Sequence, residues 1–220
     1  MTPLASGRTA DVFALDASRV LRRYRIDIDA VDEAAVMARV AARGFPVPRV
    51  YEARGRDLVL ERLYGPTMRE AVVAGGVGIA PAARMLAGLH ARLHAIPARS
   101  DREPGGDPGD RLLHLDLHPE NVLLTPRGPV VIDWCNAGDG PPDLDVALTA
   151  LILAEVVGWA PPPLADVAAR FLRAFVRESG WHPPRMLDRA VAYRRANPTL
   201  DGAEVARLAD AAARVLAAAG

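Results

Sequence analysis

The chain has 220 residues, half of them hydrophobic, so it can bury a core of its own as one two-lobed domain or two small ones. Its 27 basic and 27 acidic residues balance, which argues against a nucleic-acid groove or an anionic membrane as partner. No apolar run approaches the roughly 20 residues of a membrane span, the N-terminus lacks signal-peptide order, and the single Cys135 cannot form an internal disulfide. We therefore expect a cytoplasmic protein whose partner is a small molecule.

The first third of the sequence predicts an antiparallel sheet with one helix. "ADVFALD" and "RVLRRYR" are β-rich runs on either side of a turn, and "PRVYEAR" and "DLVLERLYG" are two further extended runs. Between these pairs, "DIDAVDEAAVMARVAARG" has helical periodicity, with Asp27 or Asp29 as its cap and Gly44 before Pro46 as its stop. We expect four or five strands and a helix.

The pattern turns helical from Pro81 onward. "PAARMLAGLHARLHAI" has apolar residues at helical spacing, and the chain after Pro142 is mainly alanine-rich helix. The sequence thus predicts an α+β fold, in which a small antiparallel β lobe over residues 1–64 precedes a larger, mainly helical lobe over residues 65–220.

The stretch "HLDLHPEN", residues 114–121, precedes a β-hairpin signal made of "NVLL", the turn "TPRGP" and "VVID". In a hairpin centred near Arg127, Asn121 and Asp133 are equally far from the centre and are predicted to lie side by side. Their amide and carboxylate oxygens are donors that suit Mg²⁺. Asp116 lies in the loop just before the hairpin, close enough to act as a base beside that metal.

These residues also carry a family resemblance. The pattern H-x-D-L-x-x-x-N, followed by an apolar hairpin that ends in an aspartate, matches the catalytic-loop and metal-binding signatures of the protein kinase-like fold. The fuller string "HLDLHPENVLL…VVIDWCNAGDGPPDLDVA" most resembles the aminoglycoside/choline kinase-like phosphotransferases, over about residues 4–150. Leu115 and Glu120 stand where that family often has glycine, at positions that supply no catalytic atom.

The resemblance implies an enzyme that transfers the γ-phosphoryl group of ATP, or of GTP, to a hydroxyl of a small molecule. In this reaction Asp116 is the catalytic residue, and Asn121 and Asp133 hold Mg²⁺. Protein kinases fit less well, because Leu115 replaces the arginine of H-R-D and the segment between Asp133 and Asp143 is too short for an activation loop.

Nucleotide-binding residues are implied in the first lobe. Gly7, in "SGRTADVF", is what remains of a Gly-rich phosphate loop, and Arg22 stands where the family has a lysine that contacts the phosphates. Arg23 is the alternative register. Glu33 shares a helix face with apolar residues and therefore needs a partner, which by resemblance is Arg22. The chain contains no lysine that could replace it.

The family resemblance extends to two further places, the segment between the lobes and an acid that follows the hairpin. Leu60 is expected to border the adenine, and the backbone of Glu61 and Leu63 to offer it a donor and an acceptor. Asp145, in "PDLDVA", matches a structural acid that holds the catalytic loop, with Asp143 as the competing register.

The histidines support a different hypothesis. His90 and His94 are four residues apart on a predicted helix, a spacing that can bind zinc together with His114 and His118 in a hydrolase. The favoured interpretation is that His90 and His94 are ordinary helix-surface residues, that His114 is a buried support, and that His118 shapes the turn.

Two further questions stay open in the sequence. A nucleotide-binding pseudokinase that serves as a binding module is the alternative to an enzyme, because Arg22 replaces the usual lysine. The acceptor is not identified, although an aminoglycoside-like polycation could meet acids of the second lobe, namely Asp139, Asp143, Glu155, Asp166 and Glu178.

Overall fold

The N-terminal part of the chain folds as an antiparallel sheet covered by one helix. The structure is a computed structural model that describes residues 2–99, 107–182 and 185–218. The sheet contains β1 (Ala5–Ser6), β2 (Ala10–Ala14), β3 (Arg19–Tyr24), β4 (Val50–Arg54) and β5 (Asp57–Glu61), in the order β1-β2-β3-β5-β4. The predicted hairpin is present, with Val12 opposite Arg22.

Helix α1 (Ala30–Ala41) begins where the sequence predicts, and the structure decides between its two candidate caps. The side chain of Asp29 accepts a hydrogen bond from the N–H of Val31 at 3.0 Å, so Asp29 is the cap. After the helix, Gly44 has a φ of 72°, a left-handed conformation that glycine adopts without strain. The helix buries one face, which includes Glu33, against the sheet.

The C-terminal part is mainly helical, as predicted. Its helices are α2 (Met68–Val73), α3 (Ile79–Leu93), α4 (Pro142–Trp159), α5 (Pro162–Ser179), α6 (Leu187–Arg195), α7 (Gly202–Ala206) and α8 (Leu208–Ala217). Helix α4 is apolar nearly all round and packs against α5, α6 and α8, which makes it the centre of this core. None of the helices in the described ranges combines the length and apolarity of a membrane span.

Four short strands position the loop that carries the central motif. They are β6 (Arg111–Leu113), β7 (Val122–Thr125), β8 (Gly128–Val131) and β9 (Gly138–Gly140). The hairpin β7–β8 pairs Val122 with Val131, so the residue opposite Asn121 is Ile132, whose N–H donates to the Asn121 carbonyl at 3.0 Å. The predicted hairpin is confirmed, but its register places Asp133 one residue beyond the position opposite Asn121.

The division of the chain at residues 64 and 65 stays a prediction. The last strand of the sheet ends at Glu61 and the first helix of the second part begins at Met68, so the change of structure falls between those residues. An ion pair between Glu61 and Arg127, at 2.7 and 2.8 Å, joins the end of the sheet to the turn of the hairpin.

Candidate active site

One buried carboxylate accepts hydrogen bonds from the backbone of the loop of residues 114–121 and holds the loop in place. Asp145, on the first turn of α4, accepts hydrogen bonds from the backbone N–H groups of His114 at 3.1 Å and Leu115 at 2.7 Å. Asp143 lies at the surface, 3.5 Å from Arg185, and so is not the acid beneath the loop. The structure thus decides this register in favour of Asp145.

His114 is a buried support of the same loop. Its Nε2 lies 3.1 Å from the carbonyl oxygen of Ile132, and its ring packs on Trp134 with 4.6 Å between ring centres. Burial lowers the pKa of His114, which keeps the ring neutral. A neutral ring suits packing between the loop and the end of the hairpin.

Leu115 has a left-handed backbone conformation, with φ of 63°. A side chain in this region is strained, and glycine is the residue that adopts it freely. The glycine that the family resemblance implies at this position would adopt this conformation without strain. In this chain the leucine side chain packs against the hydrophobic core.

Asp116 is the least exposed of the loop's acids. Its side chain is 22% exposed, and Asn121 Nδ2 lies 3.4 Å from its carboxylate and donates to its backbone carbonyl at 2.9 Å. Burial raises the pKa of Asp116 to about 6, and the nearby charge of Asp133 acts in the same direction. A carboxyl that titrates near neutral pH can exchange a proton with a bound group.

Asp133 follows β8 in a left-handed conformation, with φ of 66°, which turns its side chain away from the strand direction. Its carboxylate contacts the Arg22 guanidinium and accepts a hydrogen bond from the thiol of Cys135 at 3.2 Å. Burial on its own raises the pKa of Asp133, but the charge of Arg22 outweighs burial and the pKa lies below its usual value. Asp133 is therefore ionised at neutral pH.

The predicted ion pair of Arg22 and Glu33 is present at 3.1 Å, and both residues are buried. Glu33 also accepts hydrogen bonds from the hydroxyl of Tyr24 and from the backbone N–H of Trp134, the latter at 2.9 Å. Arg23 instead pairs with Asp57 on the exposed face of the sheet. Arg22, and not Arg23, is therefore the arginine that pairs with Glu33, and it also contacts Asp133.

Leu60, Glu61 and Leu63, which are predicted to contact the adenine, lie at the end of β5 and just after it. Leu60 is buried in the sheet opposite Val20. The Glu61 N–H donates to the Arg49 carbonyl at 2.8 Å, so this N–H is not the donor for a ligand. The roles of the Glu61 carbonyl and the Leu63 N–H stay predictions.

Gly7 lies in the loop between β1 and β2, and that loop is held by the far end of the chain. The side chain of Arg8 donates to Glu204 at 2.5 Å and to the carbonyl of Thr199 at 2.8 Å. Sequence reasoning missed this contact, because nothing local in the sequence links positions 196 residues apart.

The surface interpretation of His90 and His94 is wrong. His90 is only 2% exposed, and its Nε2 lies 3.0 Å from the Thr149 hydroxyl. His94 Nε2 lies 3.0 Å from Asp145, and His90 Nδ1 lies 3.6 Å from the same oxygen. These two histidines and Asp145 form the group within the described chain that has metal-ligand spacing.

The four histidines of the hypothetical zinc site do not converge on one point. His114 and His118 are directed elsewhere, His114 to Ile132 and His118 to Asp116 and Asn121. The Asp145 carboxylate accepts a hydrogen bond from the loop backbone and lies within hydrogen-bond distance of His94 Nε2. Hydrogen bonding therefore accounts for the contact of His94 without a metal.

The fold is that of known kinases. The chain is similar to a choline/ethanolamine kinase family protein from Mesorhizobium loti, with TM-score 0.59 and 17% identity over 99% of this chain and 91% of that one. It is similar to a thermostable mutant of aminoglycoside phosphotransferase APH(4)-Ia, with TM-score 0.62 and 17% identity over 100% and 94%.

A third similar structure is the amicoumacin kinase hAmiN in complex with AMP-PNP, Ca²⁺ and Ami, with TM-score 0.54 and 14% identity over 99% of this chain and 88% of that one. These likenesses confirm the predicted α+β, protein kinase-like fold. A search of curated protein sequences gives no match.

The family is shown by sequence. A family model described as "Phosphotransferase enzyme family" (APH) matches residues 1–111 and 104–187, which together cover most of the chain. The match includes the loop of residues 114–121 and the hairpin that ends at Asp133. This chain belongs to the phosphotransferase enzyme family.

Proposed function

We propose that this chain transfers the γ-phosphoryl group of ATP to a hydroxyl group of a small molecule. The observation that carries the proposal is that one loop and one hairpin bring Asp116, Asn121 and Asp133 beside the buried Arg22–Glu33 ion pair. This arrangement combines a proton acceptor, oxygen donors and a fixed positive charge, which are the groups that phosphoryl transfer uses.

Asp116 is the proposed catalytic residue. At neutral pH most of its carboxylate is ionised, because its pKa is about 6. It accepts the proton of the acceptor hydroxyl as the hydroxyl oxygen bonds to the γ-phosphorus. The bond between that phosphorus and the bridging oxygen breaks, and ADP leaves with the electron pair.

Arg22 is proposed to neutralise charge on the nucleotide phosphates. Its guanidinium is always protonated and can bind two oxygen acceptors at once. Glu33 pairs with this side chain, and the Tyr24 ring lies 4.9 Å from its guanidinium, so that a phosphate can take the place of Asp133 while Glu33 stays bound. Gly7, Leu60, Glu61 and Leu63 are the further nucleotide contacts that we propose.

Asn121 and Asp133 fit a Mg²⁺ ion by donor type, since both offer hard oxygen atoms. Asn121 Nδ2 is engaged by the Asp116 carbonyl at 2.9 Å, which leaves its Oδ1 for a cation. When bound, Mg²⁺ would neutralise phosphate charge. The Ca²⁺ and AMP-PNP named for the amicoumacin kinase structure support the use of a nucleotide and a divalent ion here.

The test is ADP release from Mg-ATP, and separately GDP release from Mg-GTP, with amino sugars, amino alcohols and nucleosides as acceptors. We expect one or more acceptors to raise ADP release above the acceptor-free rate, and Asp116→Asn to remove the increase. Equal background in both proteins with every acceptor would contradict the proposal.

A nucleotide-binding module without activity is the second candidate. The observation in its favour is the contact of Arg22 with Asp133, which places an arginine on a carboxylate that the reaction needs. Nucleotide binding without any turnover that depends on Asp116 would support this candidate.

A further inference from the structure

An apolar cleft lies next to the loop of residues 114–121, between α2, α4 and α5. It has a volume of about 70 Å³, is partly open to solvent, and is lined mainly by aliphatic and aromatic side chains, among them Val72, Val156, Leu164 and Phe171. One side of it is formed by the loop itself, through residues 118–120. Enclosed apolar surface next to a reactive group is the usual form of a small-molecule site.

The polar side chains of this cleft have their charges balanced. Arg69 and Glu120 pair with each other at 2.8 Å on the exposed rim. His118 accepts a hydrogen bond from the N–H of Glu120 and meets Asn121, both at 3.3 Å. The cleft therefore favours an uncharged, apolar group.

His118 also connects the cleft to the catalytic aspartate. Its ring lines the cleft, and its Nε2 lies 3.7 Å from the carboxylate of Asp116. The cleft and the carboxylate are thus separated by about the width of one imidazole ring. To bring a hydroxyl to Asp116, a molecule that fills the cleft with an apolar group must pass the edge of this ring, over a distance of about one ring width.

Four of the five acids that could attract a polycation are paired with arginine. Each of four pairs joins one such acid to one guanidinium: Asp139 to Arg99 at 2.8 Å, Asp143 to Arg185 at 3.5 Å, Glu155 to Arg194 at 3.0 Å and Glu178 to Arg84 at 3.1 Å. Asp166 is exposed on α5. The Glu155–Arg194 pair is bidentate and mostly buried, so opening it for an incoming amine is costly.

We propose that the cleft binds the apolar part of an uncharged alcohol and so presents its hydroxyl to Asp116; this rests on the proposed phosphotransferase function. The acceptor is then an alcohol with a short branched aliphatic group, and not an aminoglycoside-like polycation.

The experiment compares 3-methyl-1-butanol with glycerol, which lacks the apolar part, and with gentamicin, which is a polycation. With the full chain and Mg-ATP, we expect kcat/KM for 3-methyl-1-butanol to exceed both others by about 10-fold or more, on the scale of one buried branched group. Preferred use of gentamicin would overturn the acceptor class and leave the phosphotransferase function standing.

Two partly exposed positions test the cleft itself. Leu164→Gln and Val156→Gln should each raise the KM for 3-methyl-1-butanol about 5-fold to 10-fold, with a smaller effect on kcat. Leu216→Gln on α8 is the matched control, because Leu216 is apolar and 49% exposed away from the cleft. Unchanged KM in both cleft variants would overturn the proposal.

Binding of the alcohol is read separately by saturation-transfer NMR with Mg-AMP-PNP present. The signal should fall in Leu164→Gln and Val156→Gln and persist in Leu216→Gln. If it does so while no acceptor supports turnover that depends on Asp116, the cleft assignment holds and the proposed function fails. Equal signals in all four proteins would overturn the cleft assignment.

Discussion

Arg22 contacts Asp133 across the two parts of the chain, from β3 to the residues that follow β8. The same guanidinium pairs with Glu33 at 3.1 Å, so one arginine joins the helix of the first lobe to the end of the hairpin. Burial opposes the charged form of Arg22, but the two carboxylates raise its pKa. In the proposed function, a nucleotide phosphate replaces Asp133 on Arg22, and Glu33 is the partner that remains.

Arg22→Lys tests whether the chain is adapted to arginine. A lysine ammonium is a point charge and cannot bind Glu33 and a second acceptor with the planar geometry of guanidinium. We expect turnover to fall about 10-fold, with a smaller effect on ATP affinity, measured by ADP release and by calorimetric titration. Arg23→Lys, on the exposed face, is the control and should change neither. A strong gain of activity in Arg22→Lys would instead mark the natural protein as a degenerating kinase.

The local part of this site could be predicted from the sequence. The hairpin signal, the cap at Asp29 and the motif of residues 114–121 depend on neighbouring residues, and the structure contains the corresponding elements. The need of Glu33 for a partner followed from its place on an apolar helix face, and the family resemblance implied Arg22 as that partner.

The contacts that sequence reasoning missed join distant positions. Arg22 and Asp133 are 111 residues apart, and His94 and Asp145 are 51 apart, so no periodicity records that they meet. Helix α2 is different, because Thr67 and Glu70 form a capping box that the sequence displays. This capping box is a local sequence pattern, so the start of α2 could have been predicted from it.

Asp116→Asn separates turnover from binding. The substitution removes the proton acceptor and keeps the size of the side chain, so ADP release should fall roughly 10²-fold or more with ATP affinity nearly unchanged. Because burial raises the pKa of Asp116, its ionised form is unfavourable in the folded state, and the variant should melt no lower than wild type. A variant that melts much lower would show a structural role instead.

The pH dependence of turnover should follow the same carboxyl. The pKa of Asp116 is about 6, that of Asp133 lies below its usual value, and that of His118 is about 4. From pH 7 downward, Asp116 is therefore the first of these three to change charge. We expect kcat to fall as the pH falls through about 6, as the base becomes protonated, when ADP release is measured with saturating Mg-ATP. A flat profile between pH 5 and pH 8 would exclude Asp116 as the base.

Asp133→Asn should weaken the binding of Mg-ATP, because it removes one charged metal ligand and leaves Arg22 with Glu33 alone. A ligand that binds the native state raises the melting temperature by mass action. The wild type should therefore melt higher with millimolar Mg-ATP than without it, and Asp133→Asn should show a smaller increase. Asp139→Asn, which disrupts a pair with Arg99, serves as the control. Equal increases in wild type and Asp133→Asn would contradict the metal assignment.

Asp145→Asn should destabilise the whole domain. The carboxylate is fully buried and accepts hydrogen bonds from two backbone N–H groups of the loop as well as contacting His94, and an amide nitrogen in its place would face those donors. Removing one partner of a buried charged network typically costs about 3 to 5 kcal/mol of unfolding free energy. Urea denaturation at pH 7 measures the loss, and Asp143→Asn at the exposed pair with Arg185 should change it by less than about 1 kcal/mol.

The pH dependence of that loss distinguishes hydrogen bonding from metal binding at Asp145. Contacts with His90 and His94 hold the pKa of Asp145 well below its usual value against the opposing effect of burial. The stabilisation is therefore complete above the unfolded pKa of about 4 and is lost as the pH falls through the lower folded value. The difference between wild type and Asp145→Asn should be largest near pH 7, shrink in acid, and be unaffected by a zinc chelator. If the chelator lowers the stability of wild type to that of Asp145→Asn, the histidine pair and Asp145 hold a metal, and the hydrogen-bond account of this cluster is wrong.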